Sequence, residues 1–240
     1  MRARRGRRGL RWGLGLILAA LLLAGAWEAW TWPRVQDLAV RPPATTAFME
    51  RYRAAQRAAG RADRVAWTWV PYAAISPHLK RAVLAAEDIG FFSHRGFDLF
   101  ELRAALEKAV EEGEVPRGAS TITQQLAKNL WLSPSRSPWR KGKEAILTWQ
   151  LERTLSKRRI LELYLNVVQF GPGVYGAEAG AHRFFGKAAA HLTEDEAAQL
   201  VAGLPRPSLW HPGVASRAYQ AYVEAIRRRM ARAEFLWRLI

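Results

Sequence analysis

Two patterns of apolar positions divide this chain of 240 residues. From Trp12 to Trp30 the sequence W-G-L-G-L-I-L-A-A-L-L-L-A-G-A-W-E-A-W carries no charge before Glu28 and has no polar face. Beyond Pro43 the apolar positions recur at helical spacing, in short amphipathic stretches separated by Gly, Pro and Ser. These stretches predict helices over residues 45–59, 77–88, 98–112, 120–132, 138–155, 157–168, 174–185, 193–204 and 215–237. Ser76-Pro77 and Ser137-Pro138 each supply an N-cap followed by proline in the first turn, and Gly60 ends the first stretch. V-A-W-T-W-V at 65–70 alternates with period two and predicts a short strand or extended arm. Residues 33–43 read as an extended connector and 111–116 as a mobile link. The expected fold class is mostly α.

The first apolar run approaches the roughly 20 residues that a bilayer-spanning helix needs. Trp12, Trp27, Trp30 and Trp32 bracket it as interfacial aromatics do, and six arginines lie in the first eleven residues. That arrangement predicts a single-pass anchor in the cytoplasmic (inner) membrane, with the N-terminus inside and the rest on the periplasmic side. A cleaved signal peptide competes, because Ala24-Gly25-Ala26 resembles a processing site; the tryptophan belt favours the retained anchor. The expected organisation is a basic tail at 1–11, an anchor at 12–32, a connector at 33–43 and one exported domain at 44–240. The net charge of +16 fits either nucleic acid or an anionic membrane surface, and export removes nucleic acid as a partner. The chain has no cysteine, which excludes disulfides and cysteine-ligated zinc.

The candidate chemistry is concentrated in three places. Residues 118–131, G-A-S-T-I-T-Q-Q-L-A-K-N-L-W, treated as a helix with Ser120 as expected N-cap, put Thr121, Gln124, Gln125 and Lys128 in one stripe. Ile122, Leu126 and Leu130 lie on another. The polar stripe suits a polyoxygenated anionic ligand, and taken alone an ordinary solvated helix face is the commoner case. Glu87-Asp88 closes the preceding helix, where the macrodipole disfavours a carboxylate, and Phe91 and Phe92 follow to desolvate it. A raised pKa there would fit a general base, and a surface acid is the alternative. Arg136, Arg140, Lys141 and Lys143 precede Glu144 and match what a pyrophosphate requires, or face anionic lipid. His94 and Asp98 carry no assigned chemistry, and Lys157, Glu162, Tyr164 and Asn166 are ambiguous, with Glu162 expected to brace the fold. The five histidines show no i,i+4 pairing and no H-E-x-x-H, so no protein-held metal is expected.

E-D-I-G-F-F-S-H-R-G-F-D, G-A-S-T-I-T-Q-Q-L-A-K-N, R-K-G-K-E, K-R-R-I-L-E-L-Y-L-N-V-V-Q-F-G and G-V-Y-G-A-E-A resemble, in order, the motifs of the family 51 peptidoglycan glycosyltransferases. The likeness runs over about residues 74–212 and is nearest to the monofunctional branch, since S-x-x-K and K-T-G are absent. It implies a lysozyme-like helical domain that polymerises lipid II into β-1,4 glycan strands with no transpeptidase activity. By motif position Glu87 corresponds to the catalytic base and Glu144 to a second carboxylate that orients the site. Lys128 and Arg136 correspond to pyrophosphate-stabilising positions, with Arg140 beside them. Ser120, Thr121, Gln124, Gln125 and Asn129 fall among substrate-binding positions. The family often has Lys or Arg where this chain has Gly90. The resemblance implies no required cofactor, leaves room for a divalent cation on the substrate pyrophosphate, and names lipid II, the growing glycan, the bilayer and other wall-synthesis or division proteins as partners.

Two rivals remain at this stage. A lytic transglycosylase or lysozyme also uses a lone glutamate, but has no need of the Lys128–Arg136–Arg140 cluster. A non-catalytic membrane tether explains the charge and leaves Glu87 unexplained. The apolar segment 91–106 with the following link is expected to dip into the bilayer as a lid.

Overall fold

The computed structural model describes residues 2–113, 120–135 and 137–240 and divides into two compact units, Met1–Arg34 and Val35–Ile240. In the first, one helix, α1, runs over Arg2–Trp30, and the Thr31 hydroxyl closes it on the Trp27 carbonyl at 2.8 Å. The side chains of the six N-terminal arginines lie outside those described. Among the described residues, no helix is long and apolar enough to cross a membrane.

The second unit is mostly helical. Its helices are α2 (Ala47–Ala58), α3 (Pro77–Glu87), α4 (Leu99–Glu112), α5 (Ile122–Trp131), α6 (Pro138–Thr154), α7 (Lys157–Val167), α8 (Ala177–Phe185), α9 (Glu194–Ala202) and α10 (Arg217–Arg232). Side-chain caps begin most of them: Thr46, Ser76, Asp98, Thr121, Ser137, Ser156, Thr193 and Ser216 each accept a backbone N–H of the first turn. Three short strands, β1 (Ala66–Trp67), β2 (Gln169–Gly171) and β3 (Val174–Tyr175), form a sheet in the order β1-β3-β2. β3 runs parallel to β1 and antiparallel to β2.

Several sequence expectations change. The connector folds into a 3-10 turn at Val35–Ala39, because Val35 and Leu38 are buried and Arg159 Nε donates to the Leu38 carbonyl at 2.8 Å. Helix α5 starts one residue later than expected. Thr121, not Ser120, is its N-cap, in a reciprocal box where the Thr121 hydroxyl accepts the Gln124 N–H and Gln124 Oε1 accepts the Thr121 N–H. The helix expected from Val174 begins only at Ala177, since Val174 and Tyr175 pair with β1 and β2. Gly176 makes that change of direction with φ +80, where a Cβ would lie 2.5 Å from the Asn166 carbonyl oxygen. The last helix stops at Arg232, and a 3-10 turn at Glu234–Arg238 follows. The expected lid is divided: Phe91 is fully buried, whereas Leu99, Phe100, Leu102, Leu106 and Val110 are exposed along α4. Residues 114–116 of the expected link lie outside the described residues.

Helix α3 runs through the middle of the core. Leu79, Ala82, Val83 and Leu84 are fully enclosed where α9 and α10 pack on it. Helix α5 packs on α6 and α7 through Ile122, Leu126, Ala127 and Leu130. Burying each leucine or isoleucine contributes about 1.5–3 kcal/mol before entropy is counted. These two packed pairs set the end of α3 beside the polar edge of α5, where the candidate chemistry lies.

Candidate active site

Glu87 is the last residue of α3, and Asp88 turns away from it to bind the next segments together. Asp88 Oδ2 accepts the N–H of Ile122 at 2.9 Å, so a carboxylate sits at the positive N-terminal end of α5. Its other oxygen lies 2.9 Å from His94 Nε2. Because the Gly96 N–H donates to His94 Nδ1 at 3.1 Å, that nitrogen carries the lone pair, and Nε2–H donates to Asp88. The Thr121 hydroxyl then donates to the Gly96 carbonyl at 2.7 Å. Gly96 is required here: at φ +89, a Cβ would meet Thr148 Cγ2 at 2.7 Å. His94 and Thr121 thus lock the α3–α4 loop to the start of α5. Ligand atoms of Asp88, His94 and Asp98 lie within 4.8 Å of one another. Asp88 and His94 bind each other, however, and Asp98 Oδ1 caps α4, so the cluster works as a clamp.

Glu87 itself is half-buried, and its Oε2 accepts Gln125 Nε2 at 2.8 Å. Burial pushes its pKa up; the Gln125 hydrogen bond and the charges of Lys128 and Arg229 work against that, while Asp88 adds to it. The direction agrees with the sequence expectation. Lys128, one turn along α5 from Gln125, is also half-buried, and burial pulls its pKa down against the fields of Glu144 and Glu87. Among the described residues it has no ion-pair partner. Glu144, 3% exposed, is doubly paired: Arg140 Nη1 donates to one oxygen and Lys141 Nζ to the other.

The expected polar stripe is therefore split. Gln125 and Lys128 open toward the site, whereas Thr121 and Gln124 are buried in the capping box and Asn129 is buried on the inner side of α5. Ser120 is exposed, and its carbonyl lies 3.5 Å from Gln125 Nε2. Arg136 lies outside the described residues, and so does Gly118. Arg140 is engaged by Glu144. The ambiguous residues resolve locally. Glu162 pairs with Arg159, and Lys157 pairs with Glu152 and sits 4.4 Å from the Phe91 ring centroid. Asn166 holds the β1 arm through the N–H and carbonyl of Val70.

Two groups near Glu87, Tyr222 and Arg229, have no place in the sequence reading of the site, and Tyr164, ambiguous there, belongs to it. Tyr164 donates to Gln125 Oε1 at 2.9 Å. Tyr222 and Arg229, on α10, bring a phenol and a guanidinium into the same field, with Arg229 Nη1 3.4 Å from the Ala86 carbonyl. Only the amphipathic spacing of α10, which puts both on the side of Ile226, hinted that they face the domain.

Residues 54–231 match the family model described as transglycosylase. The chain is 47% identical over 221 residues to a biosynthetic peptidoglycan transglycosylase of Thiobacillus denitrificans, covering 92% of this chain and 95% of that one. It is 47% identical over 224 residues to the protein of that name from an Azoarcus species, covering 93% and 96%. The counterpart from Methylobacillus flagellatus is 42% identical over 218 residues, covering 91% and 95%.

Proposed function

The chain belongs to the transglycosylase family, and on that premise we propose that its lysozyme-like domain polymerises lipid II into β-1,4 glycan strands. Glu87 acts as general base. It takes the proton from the 4-hydroxyl of the acceptor N-acetylglucosamine while that oxygen attacks C1 of the donor N-acetylmuramic acid. The C1–O bond to the pyrophosphate breaks, the configuration inverts, and undecaprenyl pyrophosphate leaves with the bonding electrons. The observation that carries this reading is a half-buried carboxylate that accepts the Gln125 carboxamide, with Lys128 one helical turn further along α5 and free of an ion-pair partner among the described residues. Burial raises the affinity of Glu87 for a proton, which a general base near neutral pH needs. Lys128, with Arg136, meets the charge that grows on the leaving pyrophosphate, and a preorganised cation there lowers the barrier rather than only aiding binding. Glu144 holds Arg140 and Lys141 in place, and the fields of all three reach Lys128. Ser120 and Gln125 border the substrate, and Thr121, Gln124 and Asn129 shape the helix that presents them. No protein-held cofactor has a part; a divalent cation enters only with the pyrophosphate.

The substrate's lipid carrier requires a bilayer surface. Support for an anchor at 12–32 is that α1 continues as one helix through residues 12–30, with Trp12, Trp27 and Trp30 exposed on it. Localisation to the inner membrane, with the domain on the periplasmic side, follows from that anchor. The exposed apolar face of α4 is the element that would enter the interface, and a nitroxide on Phe100→Cys, unambiguous in a cysteine-free chain, would report its depth.

One assay tests the main reading. Purified protein is given lipid II, and wild type is compared with Glu87→Gln. Polymer formed by wild type and lost in the variant supports a synthase; fragments released from finished wall support a hydrolytic enzyme, and neither product supports a tether.

A further inference from the structure

Tyr164 is fully buried on α7, and its hydroxyl donates to Gln125 Oε1 at 2.9 Å. The same carboxamide turns Nε2 to Glu87 Oε2 at 2.8 Å. A carboxamide has one accepting end and one donating end of nearly identical shape. Which end meets Glu87 therefore depends on what holds the other end. A phenol donating into Oε1 keeps the oxygen away from the carboxylate and the N–H toward it. The arrangement also satisfies a phenol that has no water to turn to.

We infer that Tyr164 is a positioning residue for the base: acting through Gln125, it fixes an N–H donor on Glu87 and aims the free oxygen at the acceptor hydroxyl. This rests on the reading of Glu87 as general base. The donor favours the ionised form, which is the form that can accept the sugar's proton. When that proton moves onto Glu87, the negative charge leaves the carboxylate and the bond from Gln125 weakens. Other groups also act on Glu87. They are Lys128 from α5, Tyr222 and Arg229 from α10, and Asp88 from the end of α3. Because Tyr164 also lies in the field of Glu87, Asp88 and Tyr222, the amide's contribution is isolated by removing the Tyr164 hydroxyl with and without Gln125 in place.

The test is the pH–rate profile of lipid II polymerisation in Tyr164→Phe, which loses one oxygen and keeps the ring. Turnover is expected to fall about tenfold, the effect of about one hydrogen bond, with KM for lipid II little changed. The acid limb of the profile moves to higher pH. In a Gln125→Ala background the same change has no further effect, because the intermediary is gone. Tyr164→Met, apolar and of similar reach, should shift the limb the same way and serves if the Phe variant folds poorly. An acid limb that stays in place in both variants, or equal losses with and without Gln125, overturns the inference. If Glu87→Gln retains polymerase activity, the reading of the base has failed instead. If Glu87→Gln is inactive and Tyr164→Phe behaves as wild type, only the inference has failed.

Discussion

The two glutamates of the site sit in opposite surroundings. Glu144, on α6, is almost completely enclosed and held by two cations, one on each oxygen. Glu87, at the end of α3, is half-buried and among the described residues accepts one neutral donor, Gln125 Nε2. Two salt links, from Arg140 and Lys141, tie Glu144 into α6 from both of its oxygens. Glu87 has burial pushing its pKa up and only partial compensation, so it can exchange a proton during a reaction cycle. On the proposed mechanism, one type of side chain serves as a brace on one helix and as a base on another, and the difference comes from the neighbours.

Glu87→Gln should break the comparison from the catalytic side. It keeps the size and the hydrogen-bonding reach of the side chain and removes its basicity, so turnover should fall by about 10³-fold, within the range for loss of a general base. Residual activity within tenfold of wild type would move the proton transfer to another group. Lys128→Ala comes next. The ammonium has no carboxylate tying it down among the described residues, so its loss should lower turnover by on the order of 10²-fold. Near-normal turnover in that variant would reduce Lys128 to part of a solvated face. Glu144→Gln should act mainly on stability, by about 2 kcal/mol, read as a shift in denaturant midpoint at unchanged slope. The figure is below that for a fully enclosed pair because Lys141 is half-exposed. At temperatures where this variant is folded, the acid limb of its pH–rate profile should stay where wild type has it. A shifted limb would mean that Glu144, not Glu87, is the titrating group.

Local signals made much of this arrangement legible in the sequence. Ser76-Pro77, Asp98 and Ser137-Pro138 mark helix starts because capping needs only a side chain and the next turn. The start of α5 was missed by one residue although T-x-x-Q, from Thr121 to Gln124, spells a capping box; adjacent hydroxyls at 120 and 121 compete, and the reciprocal bond decides between them. The strand at Val174–Tyr175 is only partly local: β2 precedes it across Gly171-Pro172-Gly173, but its parallel partner Ala66–Trp67 lies far away in sequence. The same holds for the site. Glu87, Gln125 and Lys128 lie in recognisable segments, but the division of the α5 stripe into buried Gln124 and open Gln125 follows from how α5 seats on α6 and α7. Tyr164 reaches Gln125 across 39 positions, and no spacing rule connects them.

The gentlest test of the contrast between the two acids is thermal. A carboxyl whose folded pKa is raised above its unfolded value near 4.5 binds a proton more tightly in the folded state. Stability is then lost as pH rises from the unfolded value through the raised one, and the penalty is fully present above it. Replacing Glu87 with glutamine removes that penalty, so the variant should melt about 1–3 °C above wild type at neutral pH. The two should converge as pH falls below the unfolded value, where both side chains are neutral. The opposite sign is expected for Glu144→Gln at neutral pH, because its partners stabilise the charge. A Glu87 variant that melts lower than wild type at neutral pH would mean that Gln125, Lys128 and Arg229 together outweigh burial. Glu87 would then be a second brace, and the proton acceptor of the site would have to be sought elsewhere.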